Sequence, residues 1–552
     1  MASSDEFKTN SGKLAADDGY VAETSDVEHG VVNKADPLKK DLKNRHMQMI
    51  AIGGAIGAGL FVGSGSALAK GGPASLLICY MIIGIMLLFT CQALAELAVL
   101  YPVNGAFYTY VVRFLDPSWG FAMGWDYAIS WLTVLPFELI AASLTIQFWR
   151  TDLNMGIWIT IFLIVLSGIQ IFGVRGYGEV EFVLSMVKIA ACIGFIILGI
   201  VINCGGVGDQ GYLGAKYWHD PGAFNNGFNG FAGVFVVAAF AFGGTELVGL
   251  AAAESENPRK AIPKATKQVF WRIFMFYVVN LFIVGLIVRS DDDRLLSGTS
   301  GADAKASPFV IAIQNAGIPV LPSIFNAVIC IAVISVANSC TFGSTRTMQA
   351  LAERGMAPRF LAYVDKSGRP LWCIMIQIAF GFLAFLGEVP GETNGTPTSQ
   401  EIFNWLLSIS GLSYFFVWGS ICATHIRFRY AWKAQGYTLD QIPYKPTLGV
   451  LGSWIGLALN LLCMIATFYN ALYPSPNAEP EARVFFQVYL AAPIVLALYL
   501  FWKIYTRDWR FYIPVHEMDL KSGARLHLAS EVEDEAPKTW RNLPLRIIHG
   551  LF

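Results

Sequence analysis

Charge is scarce in this chain. Only 14% of its 552 residues are Asp, Glu, Lys or Arg, and the two signs nearly cancel to a net −1. No basic stripe is present, which argues against nucleic acid as a partner. Cysteine is used sparingly and without pattern. The nine cysteines form no CxxC motif or Cys/His cluster, so neither a disulfide framework nor a metal centre is indicated, and they read as small apolar residues. The glycines of residues 51–65 supply neither GxxxxGK[ST] nor GxGxxG, and no strand precedes them, which argues against nucleotide binding there and leaves no cofactor to expect. The N-terminus has no basic start followed by a short apolar core and a small-residue cleavage site, so no cleaved signal peptide is read there. Rings of charge and carbonyl filters, the marks of a channel, are missing as well.

Apolar residues fill the space that charge leaves. At 55% hydrophobic and 14% aromatic, the chain reads as an all-α polytopic membrane protein. With about 20 apolar residues needed to cross a ~30 Å hydrocarbon layer, twelve spans are expected, near 47–69, 74–100, 119–147, 155–173, 179–203, 229–253, 268–289, 319–340, 370–388, 401–424, 448–472 and 484–505. They lie in a region 46–506, between a polar N-terminal tail 1–45, expected to be disordered, and a C-terminal tail 507–552. Lys and Arg number about 16 in the loops on the side of the N-terminus and about 7 in the opposite loops, a bias that puts both termini in the cytoplasm. The sequon at Asn394 then faces outward as a candidate glycosylation site.

The first span carries six glycines within "AIGGAIGAGLFVGSG", residues 51–65. Gly53 with Gly57, and Gly59 with Gly63, have the small-xxx-small spacing of closely packed membrane helices. Yet six glycines, each weakening a helix by ~0.8–1 kcal/mol relative to alanine, exceed what packing needs. A broken helix explains them better. A break strands backbone polar groups, which is tolerated in a membrane only against protein or a water-filled cavity. Transporters built from inverted repeats carry such breaks in corresponding spans of their two halves. Five spans later, "FVVAAFAFGGTELVGLAAAE" is interrupted by Gly243, Gly244, Thr245 and Glu246. Spans one and six thus become the first members of two five-span repeats, about 47–203 and 229–424, with the helices near 448–505 outside them.

Two ionisable residues stand out within apolar runs. Lys188 sits about nine residues into span five, roughly 13 Å deep at 1.5 Å per residue, and a cation at such depth needs a partner or an aqueous path. It is the candidate to gain and lose a proton, with Glu246 as the matching acid. A tether to backbone carbonyls is the bland alternative. Glu138, beside Pro136, is a weaker candidate for lining a pathway, whereas Glu96 and Asp126 read as structural acids near span ends.

The segments "LKNRHMQMIAIGGAIGAGLFVGSG", "YPVNGAFYTY", "GWDYAISWLTVLPFELIAASL", "FGGTELVGLAAAESENPRKAIPKA" and "FNWLLSISGLSYFFVWGSICATHIRFR" resemble the fungal amino acid permeases, the yeast amino acid transporter family of the amino acid, polyamine and organocation superfamily. The resemblance covers roughly 42–507. It implies a LeuT-like fold of five plus five inverted spans and two extra helices, and proton-coupled uptake of L-amino acids across the plasma membrane by alternating access. It further implies that the backbone of Ile56, Gly57, Ala58 and Gly59 holds the substrate carboxylate. Ala55 and the carbonyls of Phe240, Ala241 and Gly243 would take the ammonium, and Phe240 matches a gating aromatic, with Phe242, Gly244 and Thr245 flanking the second break. Lys188 matches a lysine that stands where sodium-coupled relatives bind their ion. Where many relatives have Ser or Thr, this chain has Ala55 and Ala58. Lys34, Lys39, Lys40 and Lys43 fall where family members are ubiquitinated, which makes ubiquitin-ligase machinery an expected partner besides substrate and lipid. An exchanger, or a non-transporting sensor of the same fold, are the alternatives.

Overall fold

The computed structural model describes residues 42–54, 56–150, 152–208, 210–255, 257–296, 307–388, 392–393, 396–474 and 479–524. Lys34, Lys39, Lys40, Ala55 and Asn394 lie outside the described residues, whereas Lys43 is described and exposed. Among the described residues the regular structure is helical apart from a short hairpin pairing Glu392–Thr393 with Thr396–Pro397.

Helix α1 spans Asn44–Gly53 and α2 spans Ser64–Leu100. Inside α2 the backbone turns at Gly72 (φ +80°), a conformation cheap only for glycine, and Pro73 next to it has no N–H to continue the ladder. The freed groups find partners in the 223–225 segment: Ala74 N–H donates to Ala223 O (2.9 Å) and Asn225 N–H to Gly71 O (2.9 Å). The short α3 (Ala106–Phe114) leads into α4 (Pro117–Ile146), whose start is fixed by Asp116 accepting from Trp119 N–H. Next come α5 (Met155–Gln170) and α6 (Gly173–Asn203). Only one stripe of α6 is buried, Tyr177, Glu181, Ser185, Lys188, Cys192 and Phe195 among it, recurring every three or four residues, and the remaining faces are apolar and largely outward.

The second half runs through α7 (Gly227–Phe242), α8 (Leu247–Leu250), α9 (Pro258–Arg272), α10 (Asn280–Ile287), α11 (Asp293–Leu296) and α12 (Pro308–Asn315). It continues with α13 (Leu321–Glu353), α14 (Leu371–Gly381), α15 (Thr398–Ala434), α16 (Val450–Leu472), α17 (Ala482–Tyr489) and α18 (Ala491–Thr506). α2 packs along α7, α4 along α13, and α1 against α6.

Among the described residues nine helices are long and apolar enough to cross a membrane, or ten if α17 and α18, bent by 67°, count as one span. This is a polytopic membrane protein. The twelve stretches read from the sequence are not twelve uninterrupted helices, for identifiable reasons. The first is split by its break, its second part runs into the next stretch through the Gly72 turn, and α5 at 16 residues is shorter than a membrane crossing.

Buried ion pairs tie helices together, among them Arg346 with Glu254 (2.9 Å), Arg429 with Glu96 (2.5 Å) and Lys503 with Asp116 (3.1 Å). Residues 508–524 lie against α3 and α15. Ile513 N–H donates to Leu115 O (3.0 Å), Tyr101 Oη to Leu520 O (2.9 Å) and Gln435 Nε2 to Met518 O (2.8 Å).

Candidate substrate site at two helix breaks

The first break begins where α1 ends. Gly54 N–H still donates to Ile50 O (3.1 Å), but the helix resumes only around Ala58, and its first turns are wide ones over Gly59–Gly63. Leu60 and Phe61 N–H both reach back to Gly57 O (3.2 and 3.1 Å). Among the described residues nothing accepts the N–H of Ile56 or Gly57. Side chains are excluded here by contact. A Cβ on Gly57 would lie 2.4 Å from Val336 Cγ2, and one on Gly59 would lie 2.5 Å from Ala241 Cα. Gly59 therefore brings the first break against the second.

The second break is made by Gly243, extended at ψ 142°, and Gly244, at φ +93°. A Cβ on Gly243 would overlap the Tyr414 ring, its nearest atom at 2.2 Å. The freed backbone groups are largely taken up by protein. Gly243 N–H donates to Ala239 O and Phe240 O (3.1 Å each), Leu247 N–H to Gly244 O (3.2 Å), Thr245 Oγ1 to Phe242 O (2.7 Å) and Tyr277 Oη to Ala241 O (2.8 Å). Glu246 folds back so that its Oε1 accepts from Gly244 N–H (3.2 Å) and Tyr127 Oη (3.0 Å), while Oε2 accepts from Trp418 Nε1 (3.2 Å). The buried Arg272 guanidinium donates to Thr245 Oγ1.

Gly57, Gly59, Phe240 and Gly243 line one small cavity, with Trp131 and Glu138 of α4 in its wall. Trp131 Nε1 and Glu138 Oε2 are buried there without a hydrogen-bond partner among the described residues. An unpaired buried polar atom costs ~1–3 kcal/mol, so two such atoms at one cavity mark a place where a polar ligand or water belongs. The Phe240 ring meets Phe137 edge-on at 4.7 Å, whereas Phe242 turns away to stack on Tyr277 at 4.1 Å. A second small cavity lies beyond the second break, lined by Thr245, Glu246, Cys91 and Thr266.

A family model described as amino acid permease matches residues 46–514. The chain belongs to the amino acid permease family. That is a family of transporters, not of enzymes. This permease is 52% identical over 496 residues to general amino-acid permease GAP2 of Candida albicans, covering 90% of this chain and 83% of that one. It is 50% identical over 501 residues to general amino-acid permease GAP1 of Saccharomyces cerevisiae (90% and 82% covered), and 50% identical over 519 residues to cationic amino acid transporter 1 of Schizosaccharomyces pombe (93% and 86% covered).

The permease fold sorts the residues singled out in the sequence into three places. Gly57, Gly59, Phe240, Gly243 and Glu138 share the cavity. Glu246 and Thr245 face the far side of the second break, and Lys188 lies on α6, hydrogen-bonded to Glu181 (3.3 Å) and Ser335 (2.8 Å). Lys188 and Glu246 thus have separate partners. The structural reading of the two outer acids fits their contacts, since Glu96 meets Arg429 and His425, and Asp126 accepts from Ser413 Oγ (2.8 Å). Trp131, Glu181 and Arg272 were not singled out by sequence reasoning. Arg272, Arg346 and Arg429, counted with the basic loops, are buried helix residues facing protein. The signal for Glu181 was present: it stands seven residues before Lys188, two helical turns away on the same face.

Proposed function

We propose that this permease takes up L-amino acids together with a proton, by alternating access across the plasma membrane. The observation that carries the reading is the meeting of two broken helices at one cavity, in a chain whose relatives are named amino-acid permeases. An amino acid is a zwitterion, and the polar groups around the cavity suit its two ends. The N–H groups of Ile56 and Gly57 stand ready for its carboxylate, and the Glu138 carboxylate and break-two carbonyls for its ammonium.

In this reading the fold is LeuT-like, with twelve spans as five plus five inverted repeats and two extra helices. The first members meet where the turns over Gly59–Gly63 pack against α7, and the third members where α4 packs along α13, which supports it. Lys188 holds the coupled proton, and the bundle containing both breaks rocks to open the site inward. Both termini lie in the cytoplasm, where the N-terminal lysines, Lys43 among them, are ubiquitin-ligase targets.

Expression in permease-deficient yeast tests this directly. Uptake should be saturable, should concentrate the amino acid inside, and should collapse when an uncoupler abolishes the proton gradient. Uptake that survives the uncoupler but needs internal counter-substrate would make the protein an exchanger, and absence of flux for all twenty amino acids would make it a sensor. Lys188→Ala should reach the membrane yet lose gradient-driven accumulation; retained pH-dependent accumulation would move the proton site elsewhere.

A further inference from the structure

The geometry points to Glu181, bridged by Ser335, as the acid that exchanges the coupled proton with Lys188. This rests on the proton-coupled reading above and names the residues that complete its proton site. Glu181 and Lys188 are both fully buried on the single protein-facing stripe of α6. Lys188 Nζ donates to Glu181 Oε1 (3.3 Å) and to Ser335 Oγ of α13 (2.8 Å), and Ser335 Oγ donates onward to Glu181 Oε2 (2.7 Å). Ser185 (3.1 Å, on Oε1) and Ser339 (3.4 Å, on Oε2) complete four donors around the carboxylate. Four donors fit the acceptor capacity of an ionised carboxylate. Glu246, by contrast, accepts from neutral groups among the described residues, Tyr127, Trp418 and the Gly244 N–H.

The chain from ammonium through hydroxyl to carboxylate allows a balanced transfer. An N–H bond of the Lys188 ammonium breaks as its proton passes to Ser335 Oγ, whose own proton passes to Glu181 Oε2. Lys188 is left an amine and Glu181 a carboxylic acid, with the charge of the pair unchanged. The acid O–H then breaks to give the proton to water, and Lys188 takes a new one from the opposite side. Glu181 is two turns nearer the Gly173 end of α6, which the loop charge bias puts toward the cytoplasm, so it stands on the release side.

Release is tied to the first break by geometry as well. Ser185 Oγ lies 3.5 Å from Met49 O of α1 and 3.1 Å from Glu181, but a hydroxyl has one proton to give, so the state of Glu181 decides which partner it serves. The other titratable groups beside the pair are Glu138 of α4 and Cys192 of α6 toward Lys188 and Tyr177 of α6 toward Glu181, with Arg346 of α13 and its partner Glu254 beyond Tyr177.

The test measures uptake of a radiolabelled mixture of L-amino acids in permease-deficient yeast, with surface labelling to normalise for amount. Glu181→Gln should lower steady-state accumulation about ten-fold and flatten its dependence on external pH, while exchange of labelled for unlabelled amino acid at equal pH on both sides stays near wild type. Ser335→Ala should give an intermediate loss of about three-fold, and it carries the test alone if Glu181→Gln fails to reach the surface. Combining Glu181→Gln with Lys188→Ala should do no more harm than Lys188→Ala alone, as expected for two members of one unit. Wild-type accumulation and pH profile in Glu181→Gln, or equal loss of exchange and accumulation at normal surface amount, would overturn the assignment. An unmutated protein that accumulates amino acids despite an uncoupler would instead overturn the proton reading beneath it.

Discussion

The two breaks touch at Gly59 and Ala241, yet their polar groups are arranged in opposite ways. At the first, no charged residue stands between His46 and Lys70, and the N–H groups of Ile56 and Gly57 have no acceptor among the described residues. At the second, the carbonyls of Phe240, Ala241 and Phe242 already accept from protein donors, and Glu246 occupies the Gly244 N–H. Among the described residues one break leaves backbone donors unshared, and the other shares most of its own with protein. In the proposed reading, the anionic end of a zwitterion would meet unshared donors, while its ammonium would share carbonyls or turn to the unpaired oxygen of Glu138.

Substitutions can break that contrast. The largest effect is expected from Gly59→Val, whose new side chain would meet the Ala241 backbone, which cannot rotate away; uptake should fall at least about 100-fold with the protein still present at the surface. Glu138→Gln keeps the shape but removes the charge, and kcat/KM for uptake should drop about ten-fold or more, chiefly through KM if this oxygen serves the ammonium. A change confined to Vmax would place Glu138 in the cycle rather than in binding. Gly243→Ala meets the Tyr414 ring rather than backbone, and a ring end can shift, so a loss well short of that for Gly59→Val is expected, eased by pairing it with Tyr414→Val. The smallest effect is a gain. Ala58→Ser adds a hydroxyl to the bare break and should lower KM about three-fold, the scale of one neutral hydrogen bond; an unchanged KM would mean the carboxylate does not come within reach of that position.

Much of the site was legible because it depends on residue types with narrow physical uses. Glycines in excess within an apolar span mark a break, and a second set five spans on marks its counterpart, so Gly57, Gly59, Gly243 and the neighbouring Phe240 could be named from the sequence alone. Lys188 was conspicuous for its depth. The acid that meets it was not, since Glu181 sits near the polar start of the helix and only the docking of α13, with Ser335 and Ser339, turns it into a buried partner. Trp131 was hidden for a related reason. An aromatic in an apolar run is most often packing, and only the absence of an acceptor for its N–H at the cavity sets it apart. Arg272 misled in the other direction, because a basic residue after a polar loop reads as solvated, yet its guanidinium is buried against Thr245.

The sequence by itself determined that this protein lives in a membrane as helices, where two of those helices must break, and to which family it belongs. Those properties follow from apolar run length, from the conformational freedom of glycine, and from long ordered motifs, each of which is local in the chain. Which groups face each other was decided only by the tertiary structure. Glu246 stands alone in an apolar run and Glu181 follows Glu179 near the polar start of α6, but the donors each gathers, Tyr127 and Trp418 for the one and Ser335 with Lys188 for the other, come into place only when the helices pack. The difference comes from which helices pack against each, since a buried charge is governed by the donors that distant parts of the chain bring to it.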